Sequence, residues 1–320
     1  MERASRLLIL MLALIAWGSA GAAPRVVTSI APIHNLVHGV MEGVAEPVRL
    51  VPPGASPHTY RLRPSDMRRL HEADVAVWIG PEMETFLVRP LATAPEDLVR
   101  VSLMEDADLI VHPRREGGLW EHRPHADGDA HGHGHPEEDH DRDVDTHVWL
   151  SPENAVRITR HVAGVLAQAD PQNAQRYRAN RDRILAELQA LDAQLAQRLA
   201  PVDDRPFIVF HDAYQYFERH YGLSPAGSIT LDPSRSVGAR RIHEIRERIR
   251  GAGALCVFVE PQFEPDLVHT LVEGTDARTG VLDPLGAALP PGVESYYRLL
   301  RDLADHLVDC LSRDGADGGR

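Results

Sequence analysis

Four polar residues in this 320-residue chain sit where a strand-like run gives way to a turn. His58 follows the run and turn VRLVPPGASP, and His147 precedes Val148-Trp149-Leu150. His211 directly follows the apolar run Phe207 to Phe210, and Asp283 follows Val281-Leu282 in VLDPLG. Open α/β sheets bind ligands outside the carboxyl ends of their strands. Taken singly, a histidine at a strand end is more often a satisfied structural group than a ligand. Four such residues, two from each half of the chain, fit a site in a cleft between two lobes. Three imidazoles and one oxygen suit Zn²⁺, a borderline ion that favours four-coordination by N, O and S donors. Manganese prefers more carboxylates.

The surrounding pattern supplies elements able to position them. Arg25 to Ile30 is a β-branched run feeding Ala31-Pro32, and Pro47 to Val51 is a second strand stopped by Pro52-Pro53-Gly54. A helical stretch starts near Ser65, a candidate N-cap, and leads into the buried-strand run Asp74 to Ile79, closed by Gly80-Pro81. Between Asp170-Pro171 and Pro201 the pattern is helical. Ile184, Leu188, Leu191, Leu195 and Leu199 form one apolar stripe there. Such a helix spans roughly 40 Å and can act as a stiff spine. The strand Phe207 to Phe210, the helix Ala239 to Arg250 and the strand Ala254 to Val259 then restart the alternation. Strands alternating with helices predict βαβ units and parallel sheets, an α/β fold.

Composition narrows the chemistry. The formal net charge of −13 disfavours a phosphate-backbone partner, so no nucleic acid is expected. All 34 basic residues are arginine, which excludes a phosphate-loop ATPase and Schiff-base chemistry. Arg3 and Arg6 precede the apolar run Leu7 to Trp17 and the small residues Ala20-Gly21-Ala22, the pattern of a cleaved export signal over 1–22. That run is shorter than the ~20 apolar residues of a spanning helix, and no second one follows, so no membrane insertion is expected. In an exported chain the two cysteines, Cys256 and Cys310, are expected to form one disulfide.

Residues 112–146 break the alternation. They hold His112, His122, His125, His131, His133, His135 and His140 among many acids and few apolar residues. Such a segment buries too little surface to offset its ordering entropy, so a disordered loop is expected, with its histidines as weak accessory metal ligands.

The ordered motifs VPPGASPHTYRLRPSD, ADVAVWIGPEME, DTHVWLSPENA, VFHDAYQYF, VFVEPQF and TGVLDPLG carry a resemblance. Together they resemble the zinc-binding component of bacterial high-affinity zinc importers, a branch of the metal-specific solute-binding proteins of ABC transporters. The resemblance covers about Val26 to Cys310 and includes a His-rich acidic loop in the same place. It implies two (β/α) lobes joined by a long rigid helix, with the metal between them. It also implies a periplasmic monomer that captures Zn²⁺ and passes it to a membrane permease. The family's ligand positions fall on His58, His147 and His211, and the cysteine pair resembles a disulfide of some zinc members. Some members carry an acid just before the first histidine; here Pro57 stands there and cannot ligate. Asp283 lies where manganese-binding relatives place a carboxylate ligand, which leaves Asp283 or water for the fourth position. Glu260 and Trp149 flank the proposed cleft and are expected to support it or pack against it rather than ligate.

The implied layout is a leader over 1–22, an N-terminal lobe over 23–168, a spine helix over 169–201 and a C-terminal lobe over 202–315. Two other functions share these features. A manganese-binding relative would place a carboxylate where His211 stands. A zinc hydrolase would need a positioned general base, and no HExxH-type helix occurs, so the chain is expected not to be an enzyme. An adhesin would need a surface-anchoring segment, and nothing in the chain resembles one; a plain metal buffer would make the His-rich loop the whole function.

Overall fold

The computed structural model of the chain describes residues 22–115, 144–230, 233, 239–263 and 271–312. The expected leader lies outside these residues apart from Ala22, as do the loop histidines His122, His125, His131, His133, His135 and His140. The expectation of disorder over 112–146 fails at its two ends, and the rest of that stretch lies outside the described residues. His112 to Arg115 and Val144 to Thr146 are ordered, because Pro113 bridges Val144 and the Asp145 N–H donates to the His112 carbonyl at 2.9 Å.

The first half builds β1 (Val26–Thr28), α1 (Ala31–Met41), β2 (Val48–Arg49), α2 (Pro64–Glu72), β3 (Val75–Trp78), α3 (Thr85–Ala92), β4 (Val99–Ser102) and α4 (Leu103–Asp106). Two long helices follow, α5 (Pro152–Ala169) and α6 (Ala174–Leu199). The second half builds β5 (Phe207–His211), α7 (Gln215–Tyr221), β6 (Pro225–Thr230), α8 (Ala239–Ala252), β7 (Cys256–Val259), β8 (Arg278–Val281) and α9 (Val293–Leu311). Each half forms one parallel four-stranded sheet, β2-β1-β3-β4 and β6-β5-β7-β8, so the two sheets share a topology. In both, strand order reverses beside the first strand of the sheet, and a crevice opens at the carboxyl end of that point.

The apolar stripe read from the sequence packs as expected. Ile184, Leu188, Leu191, Leu195 and Leu199 on α6 are all buried. The spine is not one helix from 169, however. α5 ends at Ala169 and α6 begins at Ala174, because Asp170 turns the chain, accepting from the Asn173 amide and the Tyr177 hydroxyl. α1 sits directly on this spine. A Cβ at Gly39 would lie 2.6 Å from Val293 Cβ and 3.0 Å from Ile184 Cδ1, so only glycine allows that approach. α2 begins two residues earlier than the Ser65 cap implied, with Arg63 at the cap position. Pro64 takes the first turn and the Asp66 carboxylate accepts the Arg63 N–H at 2.9 Å.

Cys256 on β7 and Cys310 on α9 are bonded, which fastens the last helix to the second sheet. No helix among the described residues is long and apolar enough to cross a membrane.

Buried His34 on α1 meets the Thr28 hydroxyl at 3.0 Å. Burial, then the charges of Arg49 and His38, push its pKa down to about 4. The unfolded chain binds this proton near pH 6.5 and the native state does not, so stability is complete above pH 6.5 and drains as pH falls toward 4. That contribution amounts to roughly 3 kcal/mol. Urea unfolding of the metal-free protein at pH 7 and pH 4.5 should therefore show a smaller acid loss for His34→Gln than for wild type. Equal losses would assign the acid sensitivity elsewhere.

Candidate metal centre

His58 and His147 are held by bonds that the local sequence dictates, and His211 by a residue of the neighbouring strand's end. His58 lies in the loop after β2, where Gly54 adopts a positive φ of 76° and the Ser56 hydroxyl accepts the His58 N–H at 3.3 Å. His147 ends the re-entry from the His-rich segment. A single oxygen of Asp145 accepts both its backbone N–H at 3.0 Å and its Nδ1–H at 2.7 Å. A 3₁₀ turn over Val148–Leu150 follows, and Ser151 caps α5 by accepting from Asn154. His211 is the last residue of β5. Glu260, just past the neighbouring strand β7, accepts its Nδ1–H at 2.5 Å.

The three side chains converge. One ring nitrogen from each of His58, His147 and His211 lies within 4.8 Å of the others. Carboxylates only accept, so Asp145 and Glu260 fix the proton of each ring on Nδ1 and leave the Nε2 lone pairs facing inward. Those two Nε2 atoms are 3.2 Å apart. Two lone pairs at that distance repel unless a cation lies between them. Zn–N bonds of about 2.0–2.1 Å at tetrahedral angles place neighbouring donors about 3.3 Å apart. The spacing fits the ion.

The cavity at this point is about 10 Å³, lined by the three histidines with Trp149, Glu260 and Phe263 among others. That is space for roughly one water-sized particle, enough for an ion. Electrostatics favours a neutral ring at His147. Burial drives its pKa well below 6.5, and the charges of His211 and Arg114 add to the effect. At His211 burial also acts downward, but the Glu260 charge and hydrogen bond outweigh it and the net shift is upward. Of these two rings, His211 is the one at which a proton competes with the metal.

Asp283 does not join the group. Its Oδ1 accepts from Gln262 at 2.7 Å and from the Leu285 N–H at 3.0 Å, and its Oδ2 accepts from the Ala287 N–H at 2.6 Å. The carboxylate shapes its own loop and is not part of the three-histidine cluster. Asp283→Ala should leave zinc affinity near wild type in calorimetry while lowering unfolding free energy by about 2 kcal/mol. A loss of affinity without loss of stability would restore Asp283 as a ligand.

Of the two carboxylates behind the rings, Asp145 was missed in the sequence, whereas Glu260 was expected to flank the cleft without ligating. Asp145 leaves a signal, an acid two residues before a ligand histidine. Glu260 sits at the end of VFVEPQF, and the pairing of β5 with β7 is what brings it to His211. Trp149 also binds across the cleft, donating from Nε1 to the Pro284 carbonyl at 2.7 Å.

The family model described as ZnuA, zinc-uptake complex component A, periplasmic, matches residues 26–310. The chain belongs to the ZnuA family. A curated ZnuA, the high-affinity zinc uptake system protein of Brucella suis, is 46% identical over 312 residues, covering 92% of this chain and 93% of its own. The ZnuA of Yersinia pestis is 37% identical over 297 residues, covering 91% and 92%. Among solved structures, a ZnuA superposes with TM-score 0.73 at 27% identity, over 90% of this chain and 99% of that one. FpvC from Pseudomonas aeruginosa, solved with Mn²⁺, shares the fold with TM-score 0.74 at 21% identity, over 91% and 99%.

Proposed function

We propose that this chain is the periplasmic solute-binding component of a high-affinity zinc importer. His58, His147 and His211 take up one Zn²⁺, and the loaded protein delivers it to the membrane permease of an ABC transporter. The observation that carries this reading is the pair of Nε2 atoms held 3.2 Å apart by buried carboxylates behind both rings. Membership of the ZnuA family supports the transport role.

Zinc is favoured over manganese because no carboxylate joins the three nitrogens among the described residues, and harder ions prefer oxygen. A binding role is favoured over hydrolysis because no HExxH-type helix occurs in the chain. The two lobes, 23–168 and 202–315, each contribute to the site, so cargo is bound where they meet. Water supplies the fourth ligand, and the histidines within 116–143 collect zinc weakly and raise its local concentration.

Calorimetric competition between zinc and manganese tests this on the full chain and on a chain lacking 116–143. The deletion spares Arg115 and Val144, whose neighbours are hydrogen-bonded. One tight zinc site should survive it unchanged, with manganese displaced and the extra weak stoichiometry gone. Collapse of the tight site on deletion would move a primary ligand into the loop, and a preference for manganese would overturn the cargo.

A further inference from the structure

We infer that Arg115 is a positioning residue for zinc retention, tying the stretch that carries His147 to the stretch that carries His211 without touching the ion. The inference rests on the zinc site proposed above and adds a determinant of how long that site keeps its cargo.

Arg115 leaves the first half of the chain and buries its guanidinium in the second. Its Nη2 donates to Asp212 Oδ1 at 2.5 Å and to Glu218 Oε2 at 2.6 Å, and its Nε donates to Asp212 Oδ2 at 3.3 Å. The side chain is 14% exposed and the two acids 4% and 2%, so these are buried charges. Asp212 is the residue after His211. On the other side, Pro113 bridges Val144 and the Asp145 N–H donates to the His112 carbonyl, and Asp145 is the carboxylate behind His147. Neutral bonds reinforce the crossing. The Tyr216 hydroxyl donates to the Asp145 carbonyl at 2.6 Å and accepts the His112 N–H at 3.1 Å, and Gln215 donates to the Pro113 carbonyl at 3.3 Å.

Arg115 supplies the charge in this strap. Without it Asp212 and Glu218 remain buried together, with Asp145 close enough to act on both. Their repulsion pushes α7 and the end of β5 away from the 144–147 stretch, and the spacing of the His147 and His211 rings relaxes. All three ligands stay in place, so capture changes little and release accelerates. A structural ion pair placed elsewhere would lower stability without this consequence.

The test is zinc release from the full-length protein into excess chelator, followed by stopped-flow fluorescence, beside the melting of the metal-free form. Arg115→Met should release zinc about 10–100-fold faster, the range for lost outer partners of metal ligands. Arg115→Lys should fall between, since an ammonium lacks the fork that serves two carboxylates. Adding Asp212→Asn and Glu218→Gln to Arg115→Met removes the repulsion and should restore melting and bring release most of the way back to the wild-type rate. Release that stays as fast as in Arg115→Met in the triple variant, or wild-type release in a folded Arg115→Met protein, would overturn the inference. His211→Ala in the same assay separates the two claims. If it holds zinc like wild type, the site is wrong; if it loses zinc while Arg115→Met keeps wild-type release, only the strap is wrong.

Discussion

His211→Ala is expected to weaken zinc binding by two to three orders of magnitude. Structural zinc sites bind with about 10–16 kcal/mol, so one of four ligands accounts for roughly 3–4 kcal/mol, on the order of a hundred- to thousandfold in affinity. The two remaining imidazoles still reach the ion, so binding weakens rather than vanishing. The substitution also strips Glu260 of the proton donor it holds at 2.5 Å, leaving a buried carboxylate less well paired. Adding Glu260→Gln should recover stability lost in the single variant without recovering zinc affinity, which separates ligand from scaffold. Affinity in wild type should fall with decreasing pH, because the ring must be neutral to bind metal and Glu260 holds the His211 pKa upward. Isothermal titration at pH 7.5 and 6 checks both statements; an unchanged affinity in His211→Ala would remove this residue from the site.

The second large effect is on folding. Cys256 and Cys310 are 54 residues apart in sequence and closed by one disulfide. The chain-entropy model values such a loop at about 4 kcal/mol, although calorimetric accounts assign part of it to enthalpy. Replacing both cysteines by Ala should lower unfolding free energy by that amount in denaturant titrations. The three ligands sit on other segments, so the folded variant should still bind zinc tightly. Wild-type stability in the double variant would show that α9 is held to the second sheet by packing alone. Buried Leu299, Leu300, Leu303 and Leu307 on that helix are the residues that would carry it.

Much of this was legible in the residues. Parallel alternation, the α6 stripe, the disulfide and the three histidines all rest on local signals: periodicity, strand-ending turns and cysteine count. Asp283 is bonded within its own loop and stands apart from the three histidines for a physical reason. An Asp followed by Pro at a strand end fits a ligand and equally fits a turn in which the carboxylate accepts the N–H two residues on, and here the turn wins. Glu260 was legible as a residue flanking the cleft, but its bond to His211 comes from sheet neighbours, and Arg115 was illegible because its partner lies about a hundred residues away. The ends of the His-rich segment looked like the rest of it in composition. Their order comes from bonds to Tyr216 and Gln215, which no local pattern announces.

The central claim is that one zinc ion sits among His58, His147 and His211. Zinc-edge anomalous diffraction from crystals of the zinc-loaded chain lacking 116–143 tests it most directly. The account predicts one strong peak about 2.0–2.1 Å from a ring nitrogen of each histidine, with a water completing a tetrahedron and Asp283 still bonded to Leu285 and Ala287. A peak elsewhere, or one ligated by Asp283 in place of a histidine, would contradict it.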